Sequence, residues 1–245
     1  MEQLRKKLRG LKLSGIARGI EARNRYAIEN QISYIDFISL LIEDEYINRG
    51  SNSFKKRLYK SKIDPEKTIE GYDFSYQPEL NKKEILDIAC CRFIQEKKNV
   101  VFMGNPGVGK THLANAIGLE ALKEGYKVCI VHTNDLVIRL MSARGDGTYY
   151  AVLKELLKVD LLIIDELGFK KISQNSVDEF FEVIRRRYEN GSIIITTNRP
   201  FEEWSNIFGD AVLASAIVDR IVHHCHIFKI NGCSYRIKEL KADVK

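Results

Sequence analysis

Residues 104–111 read Gly-Asn-Pro-Gly-Val-Gly-Lys-Thr, which fits the pattern G-x-x-x-x-G-K-[ST] at every fixed position. No other stretch constrains the fold as strongly, because this octet needs a strand before it and a helix after it. Asn99-Val-Val-Phe-Met103 supplies a short apolar run suited to a buried strand, and His112 to Leu122 has helical spacing. Gly104, Gly107 and Gly109 let the backbone turn tightly, so the N–H groups of Asn105, Pro106's neighbours, Val108 and the first helical residues can face phosphate oxygens. Lys110 is placed to reach the outer phosphates, Thr111 to offer its hydroxyl to Mg²⁺, and His112 to lie close by without chemistry of its own. An anion at that helix N-terminus gains from the dipole and from unpaired N–H groups. The ligand implied is ATP with Mg²⁺.

A second acidic element follows about fifty residues later. Leu161-Leu-Ile-Ile-Asp-Glu166 is an apolar strand ending in two acids. Asp165 is suited to hold Mg²⁺ and Glu166 to polarise an attacking water. Ile193-Ile-Ile-Thr-Thr-Asn198 is another apolar strand with an amide at its end, and its place in this order suits Asn198 to sense the terminal phosphate. Arg220, in Val218-Asp-Arg-Ile221, offers a guanidinium for the charge that develops in phosphoryl transfer, supplied from a neighbouring subunit; the plainer alternative is an ion pair with Asp219 or another acid. Lys110, Asp165, Glu166, Asn198 and Arg220 are the expected catalytic set, with Thr111 and Asp165 as metal ligands.

Charge is unevenly spread. The formal net charge is +6, yet residues 1–25 hold eight Lys/Arg against Glu2 and Glu21, and residues 49–62 hold six with no acid. Two basic segments on an otherwise acidic body suggest a polyanion partner, although most charge runs are simply solvated helix faces. Arg5, Lys6, Lys7, Arg9 and Lys12 in the first segment, and Lys55, Lys56 and Arg57 in the second, are the candidate contacts to nucleic acid. With 44% hydrophobic residues and no apolar run near the roughly 20 residues that span a bilayer, a soluble protein without membrane contact is expected. The N-terminus lacks the apolar core of a signal peptide, and none of the five cysteines forms a C-x-x-C pair, so reduced thiols in the cytoplasm are expected.

The pattern divides the chain into residues 1–63, a small all-helical domain; 64–80, a connector; and 81–245, an α/β domain. Leu4, Leu8 and Leu11 share one helical face; Ser33 with Asp36 caps a second helix with an apolar stripe of Ile35, Ile38, Leu41 and Ile42; a third, basic helix is expected over 51–61. Asp64-Pro65 breaks the pattern, and Tyr72, Phe74 and Tyr76 in the connector are expected to pack onto the next domain or a nucleotide base. Asn81 and Glu84 form a capping box for a helix through Glu96, and Gly125 suits the C′ position of the helix after the phosphate loop. Strands are expected at 100–103, 128–132, 161–164, 193–197 and 227–230, in a parallel sheet covered by helices on both faces. The residues after Arg220 are expected to be too few for a C-terminal helical lid. His223-His-Cys-His226 looks like a metal cluster, but adjacent strand residues alternate faces, so packing and surface imidazoles are expected instead. Trp204 is expected to anchor packing.

Together these elements resemble the P-loop ATPases of the AAA+ class. More narrowly, the chain resembles the IstB family, the ATP-dependent helpers of IS21-type transposons. The likeness runs through Leu8-Arg-Gly-Leu-Lys-Leu-Ser-Gly15, Tyr72-Asp-Phe-Ser-Tyr-Gln-Pro78, Gly109-Lys-Thr-His-Leu-Ala114 and Asp165-Glu-Leu-Gly168. It continues through Thr197-Asn-Arg-Pro-Phe-Glu-Glu-Trp204, Asp219-Arg-Ile-Val-His-His224 and Gly232-Cys-Ser-Tyr-Arg236. The resemblance implies a protein that binds duplex DNA, assembles on it as a homo-oligomer with ATP, and engages the transposase of the same element. It implies an arginine-finger role for Arg220, a nucleotide-proximal Arg236, and a helical insertion after the second strand, within 136–158, where Arg139 and Arg144 face DNA. The ATPase motifs alone are shared with DnaC-type helicase loaders, which is the alternative; a P-loop kinase for a small metabolite accounts for neither the basic N-terminus nor Asn198.

Overall fold

The apolar runs that flank the phosphate loop become the centre of a parallel sheet. The computed structural model describes residues 1–235, with Gln174 and Asn175 described by backbone alone. Arg236 lies outside the described residues. Five strands, β1 (Asn99–Gly104), β2 (Val128–His132), β3 (Leu161–Leu167), β4 (Ser192–Thr197) and β5 (Cys225–Ile230), lie in the order β2-β3-β4-β1-β5, every neighbouring pair parallel. Val100, Val101 and Phe102 of β1, Leu161 to Ile164 of β3, and Ile194 and Ile195 of β4 are fully buried, as expected of strands covered on both faces. Each such side chain contributes about 1.5–3 kcal/mol by leaving water. The strands fall where the sequence places them.

In chain order the described helices are α1 (Glu2–Gly10), α2 (Ser14–Glu29), α3 (Tyr34–Ser61), α4 (Lys82–Ala89), α5 (Arg92–Gln95) and α6 (Lys110–Lys123). There follow α7 (Thr133–Gly145), α8 (Tyr149–Leu157), α9 (Gln174–Arg187), α10 (Trp204–Phe208) and α11 (Ala211–Val222). Two helices, α7 and α8, occupy the stretch between β2 and β3 where an insertion is expected. Among the described residues no helical bundle follows β5. Trp204 is fully buried against Phe201 and Phe208, and its indole N–H donates to the Arg199 carbonyl at 3.3 Å, so it is a packing anchor. Asn81 caps α4 as expected, its Oδ1 accepting from the N–H groups of Lys83 and Glu84 at 3.0 and 3.4 Å, but the reciprocal bond of a capping box is replaced by one between side chains, Asn81 Nδ2 donating to Glu84 Oε1 at 2.7 Å. Gly125, at φ +95°, ends α6 as expected.

The chain divides into two compact units, Met1–Lys56 and Arg57–Lys245. In the first, Ser33 caps through a 3.1 Å bond from the Asp36 N–H, but the helix it opens is α3, continuous over 34–61. The separate basic helix expected over 51–61 is therefore the C-terminal part of α3, which runs through Gly50-Ser-Asn-Ser53 without a break. The expected stripe is also turned. Leu41 is buried, whereas Ile35, Ile38 and Ile42 are exposed. The reason is polar: α3 meets α2 through Glu45, whose carboxylate accepts from the Gly15 and Ile16 N–H groups at 2.7 and 3.3 Å. A Cβ on Gly15 would lie 2.6 Å from the Asp44 carbonyl oxygen, so the backbones approach closely there. Leu4 and Leu11 are exposed as well.

Two further expectations are corrected. The helix expected from 82 through Glu96 is split, because Cys91 adopts φ +62° between α4 and α5 and buries its thiol under them. Burial pushes that thiol, and the Cys225 thiol in β5, up to about 12. All five cysteines are free. His223 and His224 lie in the turn between α11 and β5, not on the strand, so strand alternation applies only to Cys225 and His226. No described helix is long and apolar enough to cross a membrane.

Candidate nucleotide site

The site is built at the C-terminal ends of β1, β3 and β4, where parallel strands leave carbonyls and loop N–H groups open. Gly107 and Gly109 hold φ of +83° and +92°. Both are also crowded: a Cβ would lie 2.1 Å from Ser234 Oγ at Gly107 and 2.5 Å from the Tyr72 ring at Gly109. Only glycine satisfies both conditions at these places. Lys110, the first residue of α6, folds its ammonium onto the carbonyls of Gly104 and Asn105, 2.8 Å from each. The loop thus forms one wall of a cleft of about 440 Å³ that Glu166, Thr196, Asn198 and Tyr235 also line.

The acids are positioned by register. Asp165 is 1% exposed, and its Oδ1 accepts from Thr111 Oγ1 at 3.0 Å and from Thr196 Oγ1 at 2.5 Å. Its other oxygen, Oδ2, is buried with no hydrogen-bond partner among the described residues. A buried carboxylate oxygen left bare beside a threonine hydroxyl is the donor set of a hard divalent cation, so Thr111 and Asp165 fit Mg²⁺. Glu166 stands at φ +60° in the irregularity between β3 and β4, its N–H donating to Thr196 Oγ1 at 2.9 Å. That conformation turns a half-exposed carboxylate toward the cleft while Asp165 stays inside. Asn198 Oδ1 is likewise buried without a partner at the cleft wall.

Two residues of this site are not evident in the sequence. Thr196 joins both acids through one hydroxyl, donating to Asp165 and accepting from Glu166. His132, opposite Asp165 in the β2–β3 register, brings Nδ1 to 3.7 Å from both Asp165 Oδ2 and Glu166 Oε2. Their only sequence signal is a polar residue at the end of an apolar strand.

The connector packs onto the phosphate loop. Tyr72 Oη donates to the Val108 carbonyl at 3.0 Å, and burial pushes its phenol up to about 12. His112 Nε2 lies 2.7 Å from the Thr68 carbonyl oxygen, which ties the first turn of α6 to the same segment. The segment after β5 closes the remaining side: the Tyr235 N–H donates to the Gly107 carbonyl at 2.9 Å, Gln77 Nε2 to the Cys233 carbonyl at 3.1 Å, and Tyr76 Oη to the Ser234 carbonyl at 3.3 Å.

Lys110, Thr111, Asp165, Glu166 and Asn198 therefore converge, and Arg220 does not join them. It lies on α11, donating to the Ala216 carbonyl at 2.8 Å with its guanidinium over the Phe181 ring, on a shallow surface shared with Val212 and Asp219. Of the basic candidates, Lys6, Lys7, Arg9, Lys12, Lys55 and Lys56 are exposed. The others have intramolecular partners: Arg5 pairs with Glu21 at 2.9 Å, Arg57 donates to the Leu122 carbonyl at 3.0 Å, and Arg139 pairs with Glu155 at 2.5 Å. Arg144 pairs with the buried Glu179 and lies over the Tyr149 ring.

Comparison with known proteins decides the family. The profile described as "IstB-like ATP binding protein" matches residues 6–242. The chain belongs to that family. It is 41% identical over 94% of its length to the insertion sequence IS5376 putative ATP-binding protein of Geobacillus stearothermophilus, covering 91% of that protein. It is 35% identical over 98% of its length to the insertion sequence IS21 putative ATP-binding protein of Pseudomonas aeruginosa, covering 90% of it. Among solved structures, the DnaC helicase loader is similar with a TM-score of 0.55 and 27% identity, over 68% of this chain and 97% of that one. The IstB-like chain thus has the AAA+ P-loop fold, related to DnaC, and is an ATP-binding protein of the insertion-sequence type.

Proposed function

We propose that this IstB-like protein is a self-assembling ATPase that binds duplex DNA and assists the transposase of its insertion sequence, with ATP binding and hydrolysis controlling assembly in the cytoplasm. Within one chain, the cleft holds the phosphates through the loop N–H groups and Lys110. Thr111 and Asp165 would hold Mg²⁺, which would supply charge neutralisation at the phosphates. Glu166 takes the proton of the attacking water, and Asn198 orients that water against the terminal phosphate.

The observation that carries the assembly part is the place of Arg220. Its surface shares no residue with the nucleotide cleft of its own chain. A guanidinium on a separate face is available to a neighbour's cleft, which makes hydrolysis depend on assembly. Arg220→Ala is expected to bind ATP as the wild type does and to lose about 10³-fold or more in turnover when assembled on DNA. Glu166→Gln should also bind but not turn over, and Lys110→Ala should not bind. Wild-type turnover by Arg220→Ala would remove the shared site.

The DnaC likeness favours a second reading, a loader for a replicative helicase with ATP as its timer. Recovery of a hexameric helicase and no transposase on the protein, with preference for single strands over duplex, would select it.

A further inference from the structure

Away from the nucleotide cleft, the turns that follow α9 and α11 bring three metal-ligating side chains together. Glu189, at φ +58° in the turn after α9, faces His223 and His224 in the turn after α11. One ligand atom from each lies within 4.8 Å of the other two, all three side chains being exposed. His224 Nε2 is 3.9 Å from Glu189 Oε1, and the two imidazole rings are 4.0 Å apart. We propose that Glu189, His223 and His224 form a site for a divalent transition metal, Zn²⁺ foremost, that ties the two turns together.

The chemistry favours such an ion over Mg²⁺ or Ca²⁺. Two neutral imidazoles and one carboxylate are borderline ligands, whereas the hard cations take oxygen. Tetrahedral ligation at about 2.0–2.1 Å needs ligand atoms about 3.3 Å apart. The present spacing is wider by about 1.5 Å at most, which rotation of exposed side chains can close. The set also has an outer partner, because Tyr188 Oη lies 2.8 Å from His223 Nδ1. Ligation through Nε2 leaves Nδ1–H to donate to that phenol oxygen, and a ligating histidine is commonly held by such a second hydrogen bond. Three protein ligands leave a fourth position for water. The two histidines follow Arg220 by three and four residues, so the ion would fix the end of the helix that carries it.

The site stands independently of the ATPase reading, and its test needs no activity. The full chain, stripped with chelator, is titrated with Zn²⁺ by calorimetry and with Co²⁺ by visible absorption. One equivalent is expected beyond any taken by His132, Asp165 and Glu166, with ligand-field bands and no thiolate charge transfer. His224→Ala and the milder Glu189→Gln should each lose that equivalent while keeping the circular dichroism of the stripped wild type. Tyr188→Phe should weaken it about 10–100-fold. An equivalent retained by both ligand variants, a thiolate signature from Cys90 or Cys233, or no binding by the wild type would each overturn the proposal.

Discussion

At Thr196 one hydroxyl serves two acids. Its proton goes to Asp165 and its lone pair receives the Glu166 N–H, so its removal leaves a buried carboxylate short of a donor and a backbone N–H short of an acceptor. Thr196→Val is expected to lower ATP turnover about 10- to 100-fold with nucleotide affinity changed far less, while Thr196→Ser stays near wild type; steady-state kinetics and nucleotide titration check the split. Arg187 is a purely structural counterpart. It is 1% exposed and donates to the carbonyls of Leu156, Val159, Asp160 and Ser192 at 2.8–3.2 Å, which joins the starts of β3 and β4. Burial pulls its guanidinium down to about 10. Arg187→Ala strands these acceptors, and a loss of about 3 kcal/mol or more in urea unfolding is expected. Lys110, Asp165, Glu166 and Asn198 could be found in the sequence because each stands in a spacing set by phosphate chemistry. Thr196, His132 and Arg187 could not, because their roles arise from neighbours supplied by other strands.

Among the elements, α2 and α3 are joined by charge as much as by apolar contact. The Arg49 side chain, together with the Gly15 and Ile16 N–H groups, holds Glu45 below the usual carboxylate range, and the Arg23 fork does the same for Asp44 at 2.6 and 2.9 Å. Each folded-state pKa is lower than its unfolded value, so the stabilisation is complete above about pH 5 and is lost as pH falls through the unfolded and then the folded values. Glu45→Gln should melt below wild type at neutral pH, and the gap should close toward about pH 2, as thermal circular dichroism would show. Helical periodicity located α3 but misassigned its inner face. A pattern of Ile35, Ile38 and Ile42 states which residues are apolar, and it cannot state that a glutamate will be drawn inward to cap the start of another helix. The break at Cys91 was hidden for a related reason, since no proline or glycine marks it.

For the whole molecule, the basic segments are the testable surface. If Lys6, Lys7, Lys55 and Lys56 contact phosphates, log K for duplex DNA falls with log salt by about 0.9 per contact. Replacing Lys55 and Lys56 with alanine should then flatten the slope by up to about 1.8 without changing sequence preference, whereas an unchanged slope removes them from the interface. The α/β class and all five strands were legible from apolar runs between helices, but the order β2-β3-β4-β1-β5 was not, because lateral neighbours leave no mark on spacing. One such neighbour is the stretch from Asn231 to Tyr235, which lies over the phosphate loop through Ser234 and Tyr235. Ribosomes release the loop long before that stretch. A nascent chain consequently carries the signature octet while its pocket still lacks a side, and nucleotide becomes a firm tenant only once synthesis has passed the fifth strand.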